Sequence, residues 1–287
     1  MNKFQLDVLK IVKKIPPGKF LTYKKVATLA GKPKAFRAVA NILKFNFLNP
    51  KILPLPCHRV IKNDYTLGGY RGKENLAWLK AALLLKEGAI GVIPTDTIYG
   101  ICTSAFNKKS VEKVYKLRKR NPQKPCIILI SDINELKLFE VKLKNWQKNF
   151  LKKIWPSRIS VVLPCKSKKF FYLHRGTKTL AFRLPKDKFI LNILKISGPI
   201  IAPSCNWEGY EPAKTVNEAK KYFNNKVFYL KSRPTQTRHR VKEIKSSLAK
   251  RKLSAQPSTI IDLSSKNFKI IRQGADYSKL KLLRKFI

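Results

Sequence analysis

Apolar residues recur among lysines at roughly helical spacing from the start of the chain: Phe4, Leu6, Val8, Leu9, Ile11 and Val12 predict an amphipathic first helix. The run IPPGKF ends it, because two prolines and a glycine cannot continue a helix. Thr22 then stands where an N-cap belongs, YKKVATLA reads as a short helix, Gly31 terminates it, and PKAFRAVANILK reads as the next helix. This is a helix-turn-helix pattern, although two short helices joined by a glycine also occur in many cores.

After Gly88 the pattern changes. AIGVIPT, PCIILI, RISVVLP, TLAFRLP, GPIIAPS and STIIDL read as strands, with helices near Ser110 to Lys119, Asn145 to Ile154 and Asn217 to Phe223. The chain is therefore expected to be α/β overall, with a mainly α domain over residues 1–88 and an α/β sheet domain over 89–287. In LLLKEGAIGVIPT the last helix of the first part runs almost directly into the first strand of the second. Such a short junction does not permit independent tumbling.

Charge sharpens this picture. The chain carries 62 Lys plus Arg against 16 Asp plus Glu, a formal net charge of +46, which makes nucleic acid the first partner to consider. Only 14 of the cations are Arg, so a solvated Lys-rich surface explains much of the same excess. The five cysteines Cys57, Cys102, Cys126, Cys165 and Cys205 form no CxxC pair, and three histidines are too few to suggest zinc. An odd count argues for reduced thiols. No apolar run approaches the roughly 18 residues of a membrane span, and the expected location is the cytoplasm.

Two chemical signatures lie in series. In the first, LPCHRVI, a cysteine and a histidine are adjacent, which suits activation of a thiol for nucleophilic attack. With its continuation NPKILPLPCHRVIKNDYTLGGYRGKENLAWLKAALLLKEG, the stretch from Phe4 to Gly88 resembles the DNA-binding and catalytic domain of the O6-alkylguanine-DNA alkyltransferases. That resemblance implies a winged-helix domain acting on double-stranded DNA with alkylated guanine. Cys57 would be the alkyl acceptor, His58 its base through a water, Glu87 the residue orienting the imidazole, and Asn49 a support of the active-site turn. Arg37 would fill the gap left by the extruded base and Tyr23 would crowd the adjacent phosphate. Tyr70 and Lys80 would line the guanine pocket, and Arg59 counts among the DNA-binding residues.

The second signature, IPTDTIYGI, is a hydroxyl-rich turn after an apolar strand, suited to holding a small polar or phosphorylated ligand. VYKLRKRNPQKPCIILI, IWPSRISVVLP, LAFRLP, IAPSCNWEGYEPAKTV, STIIDL and IIRQGA follow in order, and together they resemble the YrdC-type L-threonylcarbamoyladenylate synthases across roughly Ala89 to Ala275. The resemblance implies a twisted mixed sheet that binds ATP, L-threonine and bicarbonate, and partner proteins that carry the threonylcarbamoyl group to tRNA. Magnesium is expected with the phosphates, and no heme or flavin. Arg118, Arg120, Ser204 and Asn206 match the ligand set, with Arg118 in a lysine's place. Thr95, Thr97 and Tyr99 match threonine- and nucleotide-contacting positions, and Arg183, Ser258, Thr259 and Arg272 further cavity residues.

Between Lys231 and Lys252, inside an insertion spanning 231–256, nine Lys or Arg face one Glu. This segment reads either as a tRNA-contacting arm or as a disordered surface insertion. The whole chain reads as a synthase fused to an alkyl-transfer domain. The alternative is a DNA-repair or lesion-binding protein whose second domain only binds nucleic acid.

Overall fold

The computed structural model describes residues 1–48, 55–70, 73, 76–231, 256–265 and 268–283. Asn49 and nearly all of the basic insertion lie outside the described residues.

Helix α1 (Lys3–Lys13) starts in a capping box, the Asn2 side chain accepting from Gln5 N and the Gln5 side chain from Asn2 N, each at 2.9 Å. After β1 (Leu21–Thr22), Thr22 caps α2 (Tyr23–Leu29) by accepting from Lys25 N at 3.2 Å. Gly31, at φ +78°, turns the chain toward α3 (Phe36–Leu48). Val8, Leu9 and Val12 of α1 pack with Val26 and Ala27 of α2 and Val39 and Leu43 of α3. Strand β2 (Val60–Ile61) pairs in parallel with β1, and α4 (Ala77–Lys86) closes this part.

The rest of the chain runs β3 (Gly91–Pro94), β4 (Tyr99–Ser104), α5 (Lys108–Arg118), β5 (Ile127–Leu129), α6 (Asn145–Ile154), β6 (Ile159–Pro164), α7 (Phe171–His174), β7 (Thr179–Arg183) and α8 (Lys188–Ser197). It continues through β8 (Ile200–Ile201), α9 (Val216–Phe223), β9 (Phe228–Tyr229), β10 (Thr259–Asp262), β11 (Lys269–Arg272) and α10 (Tyr277–Leu283). The expected mixed sheet is present, nine strands in the order β11-β10-β6-β7-β5-β8-β4-β3-β9. Strand pairs β10/β6, β5/β7 and β3/β9 are parallel and the other five antiparallel.

Register assigns the faces, because residues opposite one another on paired strands point the same way. Arg183 lies opposite Leu129, Leu129 opposite Ile200, and Ser160 opposite Ile260, which faces Arg272. Extending the Val161–Phe182 pair by one residue sets Ser160 opposite Arg183. Polar Ser160, Arg183 and Arg272 therefore share a face with apolar Leu129 and Ile200. Helices α4 and α8 cover the apolar portion: Ala81, Leu84 and Leu85 cluster there with Ile190, Ile193, Leu194, Leu129 and Ile200. The opposite face carries the largest core, with Val114, Leu151, Ala219 and Leu280 from α5, α6, α9 and α10.

Helix α4 thus belongs to both halves. Leu84 and Leu85 are fully buried, and each such side chain contributes roughly 1.5–3 kcal/mol to keeping the halves joined. The sheet also continues into the N-terminal part, where Leu67 N donates to Tyr229 O at 2.8 Å and Tyr229 N to Tyr65 O at 2.9 Å.

Candidate active sites

Cys57, His58 and Arg59 form a short 3₁₀ turn between Pro56 and β2. Glu87, the C-cap of α4, brings that turn against the helix: its Oε1 lies 2.8 Å from His58 Nε2 and 2.7 Å from Arg59 Nη2, and its Oε2 accepts from Arg59 Nε at 2.9 Å. Arg59 Nη1 also donates to Ile15 O at 2.6 Å. Sequence reasoning assigned Arg59 to the DNA face; the structure turns its guanidinium inward, where it braces the turn. Burial raises the Glu87 pKa, but its bonds to Arg59 and His58 outweigh this and hold the carboxyl below its ordinary range. Burial lowers the His58 pKa, Arg59 and Lys80 act the same way and Glu87 acts against them, with a net shift below the ordinary imidazole value, so the ring is neutral at pH 7.

Lys80 stands beneath the thiol. It is 1% exposed, donates from Nζ to Val60 O, and its ammonium lies 5.8 Å from the Tyr23 ring centre. Burial pulls its pKa down to about 7, against the opposing effect of Cys57. Burial also pushes the Cys57 thiol up, with Lys80 acting the other way. Tyr70 presents its edge to His58 at 6.5 Å between centres. Cys57, His58, Glu87, Lys80, Tyr23 and Tyr70 are therefore one cluster, and Arg37 stands exposed on α3.

The second cluster forms on the sheet. Arg118, 2% exposed at the end of α5, donates from Nε to Asn206 O at 3.1 Å, and from Nη2 to Ser204 Oγ and Asn206 Oδ1, both at 3.0 Å. Burial and neighbouring Arg120 lower its pKa, yet a guanidinium stays charged at pH 7. The Asn206 amide reaches on to Trp207 O at 2.8 Å and Tyr210 O at 2.6 Å, fastening the loop after β8. Arg183 Nη2 meets Asp96 Oδ1 at 2.8 Å and Thr97 Oγ1 at 3.5 Å, and Thr95 Oγ1 lies 3.2 Å from Thr97 Oγ1. Arg272 Nε donates to Ser258 O at 3.0 Å, and Ser258 Oγ accepts from Ser160 Oγ at 3.0 Å. Thr259 Oγ1 donates to Ala275 O at 2.8 Å. Arg120 instead grips the backbone, through Lys124 O and Pro125 O. Tyr99 is buried in β4.

Three buried polar atoms of this cluster have no hydrogen-bond partner: Arg118 Nη1, Arg183 Nε and Asp96 Oδ2. Buried polar groups are normally satisfied. Two cationic donors and one carboxylate oxygen are thus left for a polar ligand to meet.

Residues 83–274 match the family model described as "Telomere recombination", Sua5_yciO_yrdC. The chain belongs to the Sua5/YciO/YrdC family. Residues 3–89 match the model described as "6-O-methylguanine DNA methyltransferase, DNA binding domain". Both resemblances drawn from the residues thus find their models, overlapping on α4. Threonylcarbamoyl-AMP synthase of Bacillus subtilis is 34% identical over 141 residues, covering 48% of this chain and 40% of that protein. A Methanocaldococcus jannaschii protein bearing the same name provisionally is 29% identical over 217 residues, covering 76% of this chain and 93% of that one. Pyrococcus abyssi Sua5, solved in complex with L-threonine, superposes at a TM-score of 0.59 with 23% identity, covering 73% of this chain and 56% of that one. The chain spans less than half the length of the first curated relatives that it matches.

Asp96 is the residue of this cluster that the sequence did not reveal: an acid between Thr95 and Thr97 whose partner Arg183 is 87 positions away.

Proposed function

We propose that the Sua5/YciO/YrdC part, residues 89–287, makes threonylcarbamoyl-AMP and pyrophosphate from L-threonine, bicarbonate and ATP. Residues 1–88 form a winged-helix unit that transfers alkyl groups from O6-alkylguanine in double-stranded DNA to Cys57. The observation that carries the first reading is the set of buried, unpartnered atoms on Arg118, Arg183 and Asp96. Anionic oxygens of ATP and bicarbonate suit the arginines, and the zwitterion of threonine suits the Arg183–Asp96 pair. The threonine nitrogen attacks the bicarbonate carbon and water leaves to give the carbamate, one of whose oxygens then attacks the α-phosphorus, with pyrophosphate leaving. Arg118, Arg183, Ser204 and the Thr95 and Thr97 hydroxyls offset the charge that builds on the phosphate and carbamate oxygens.

Among the described residues no three His, Cys, Asp or Glu side chains converge to hold a metal ion, and Asp96 is paired with Arg183. Magnesium is therefore assigned to the nucleotide, as MgATP. Partner proteins would carry the product to tRNA in the cytoplasm, and no helix among the described residues is long and apolar enough to cross a membrane.

In the N-terminal unit α2 and α3 act as the helix-turn-helix, with exposed Arg37 entering the space of the extruded guanine, whose unstacking costs a few kcal/mol. Neutral His58 accepts the thiol proton, Sγ attacks the alkyl carbon, and the carbon–oxygen bond to guanine breaks. Mass spectrometry of reactions with ATP, magnesium, bicarbonate and L-threonine tests the synthase. Threonylcarbamoyl-AMP from the intact protein and none from Arg183→Ala is the expected result; no product from either rejects the reading.

A further inference from the structure

One junction ties Cys57 to both arms of the synthase cluster. His58 and Arg59 hold Glu87 through three bonds of 2.7–2.9 Å. The next residue, Gly88, has φ +84°, and a Cβ placed there would lie 2.2 Å from Asn107 Nδ2, so this corner admits only glycine. Its carbonyl accepts from Ser110 Oγ at 2.6 Å and from Thr103 Oγ1 at 3.3 Å. Asn107 caps α5 by accepting from Ser110 N at 3.0 Å, and α5 ends at Arg118. In the other direction the chain leaves Gly88 into β3, which ends at Pro94 beside Thr95. The body of α4 meanwhile carries Lys80 under the thiol and packs Leu84 and Leu85 on the sheet face that bears Ser160 and Arg183.

Cys57 is also the cysteine that chemistry can reach: it is half-buried, and the other four are buried. Resting on the function proposed above, we infer that Cys57 is an alkylation sensor for the synthase, its covalent modification lowering threonylcarbamoyl-AMP formation. The transfer breaks the alkyl carbon–oxygen bond, whose electron pair stays on guanine O6, and forms the carbon–sulfur bond. The thiol proton leaves through His58 and ends on the released guanine. The added group then stands beside Lys80, Tyr23 and the braced 57–59 turn. Extra volume in packed surroundings moves backbone rather than compressing. The turn cannot shift without drawing on Glu87, and Gly88 passes that displacement to α5 and β3.

The test uses the full chain and iodoacetamide, whose methylene carbon is attacked by the thiol sulfur with loss of iodide and a proton; this labelling needs no lesion recognition. Intact mass and peptide mapping confirm one label on Cys57, near-ultraviolet circular dichroism confirms the fold, and product formation is timed with and without label. Couplings of this kind run from about fivefold upward, so labelling is expected to slow synthesis at least about fivefold, and a duplex carrying O6-methylguanine to do the same. Ser110→Ala, which removes the bond to Gly88, should keep both reactions and shrink the effect to under about twofold. Labelled, folded protein that synthesises at the unlabelled rate overturns the inference, as does a loss explained by unfolding. No product before labelling means instead that the synthase reading itself has failed.

Discussion

Glu87 Oε1 sits 2.8 Å from His58 Nε2 while the same carboxylate grips Arg59 through both oxygens, so one acid holds both the imidazole and the turn that carries Cys57. Glu87→Gln should therefore destabilise the protein by about 3 kcal/mol at pH 7, because it leaves Arg59 unpaired in a largely buried place. The pH dependence has a definite sign. The Glu87 carboxyl is held below its ordinary value of 4.5, so its contribution is complete above that pH and is lost as pH falls through the lower, folded-state value. Urea unfolding at a series of pH values should show the two proteins converging only in that acid range.

Alkyl transfer should have its acid limit below pH 6.5, since burial lowers the His58 pKa from that value and a protonated imidazole cannot accept the thiol proton. The rate should climb on the alkaline side, because burial keeps Cys57 as a thiol at neutral pH. His58→Gln should slow transfer by about 10²-fold or more. Single-turnover transfer of a labelled methyl or benzyl group across pH checks both limbs; a rate independent of pH would remove His58 from the reaction.

Arg118→Lys is expected to raise the KM for ATP on the order of tenfold, with less change in kcat. A lysine cannot reproduce the fork that holds Ser204 Oγ, Asn206 O and Asn206 Oδ1 together. Steady-state pyrophosphate release against ATP concentration measures it.

Asp96→Asn leaves Arg183 charged and without its counter-ion in a site where both side chains are under 5% exposed. The expected loss is about 3–5 kcal/mol, read as a lower urea midpoint at unchanged slope. An unchanged midpoint would mean that the pair contributes nothing net.

The sequence carried the elements whose signals are local. Thr22 and Gly31 bound α2 as their chemistry requires, and α6 occupies the predicted Asn145–Ile154. Strand β4 escaped because Gly100 and its hydroxyl neighbours make Tyr99–Ser104 resemble a turn. Helix α8 went unassigned although KFILNILKIS has the right period, since a short apolar run between two strands reads either way. Site residues were legible as chemical types but not as directions. Arg59 and Arg120 looked like binding cations, and their guanidiniums turn onto Ile15 O and Glu87 or onto Lys124 O and Pro125 O. The near-absent linker at Gly88 predicted coupled halves, but nothing local could show that Leu84 and Leu85 would share a core with Ile193 and Ile200.

Strand β9 ends the sheet, and Tyr229 offers its outer backbone groups to Tyr65 and Leu67. Uncovered, a strand of that kind, whose own Phe228 and Tyr229 are wholly buried in the full chain, recruits a second chain by edge-to-edge pairing. The N-terminal part is thus a molecular cap for the sheet. Shortened to residues 89–287, the sheet would lose the stop on its growth and self-associate through β9.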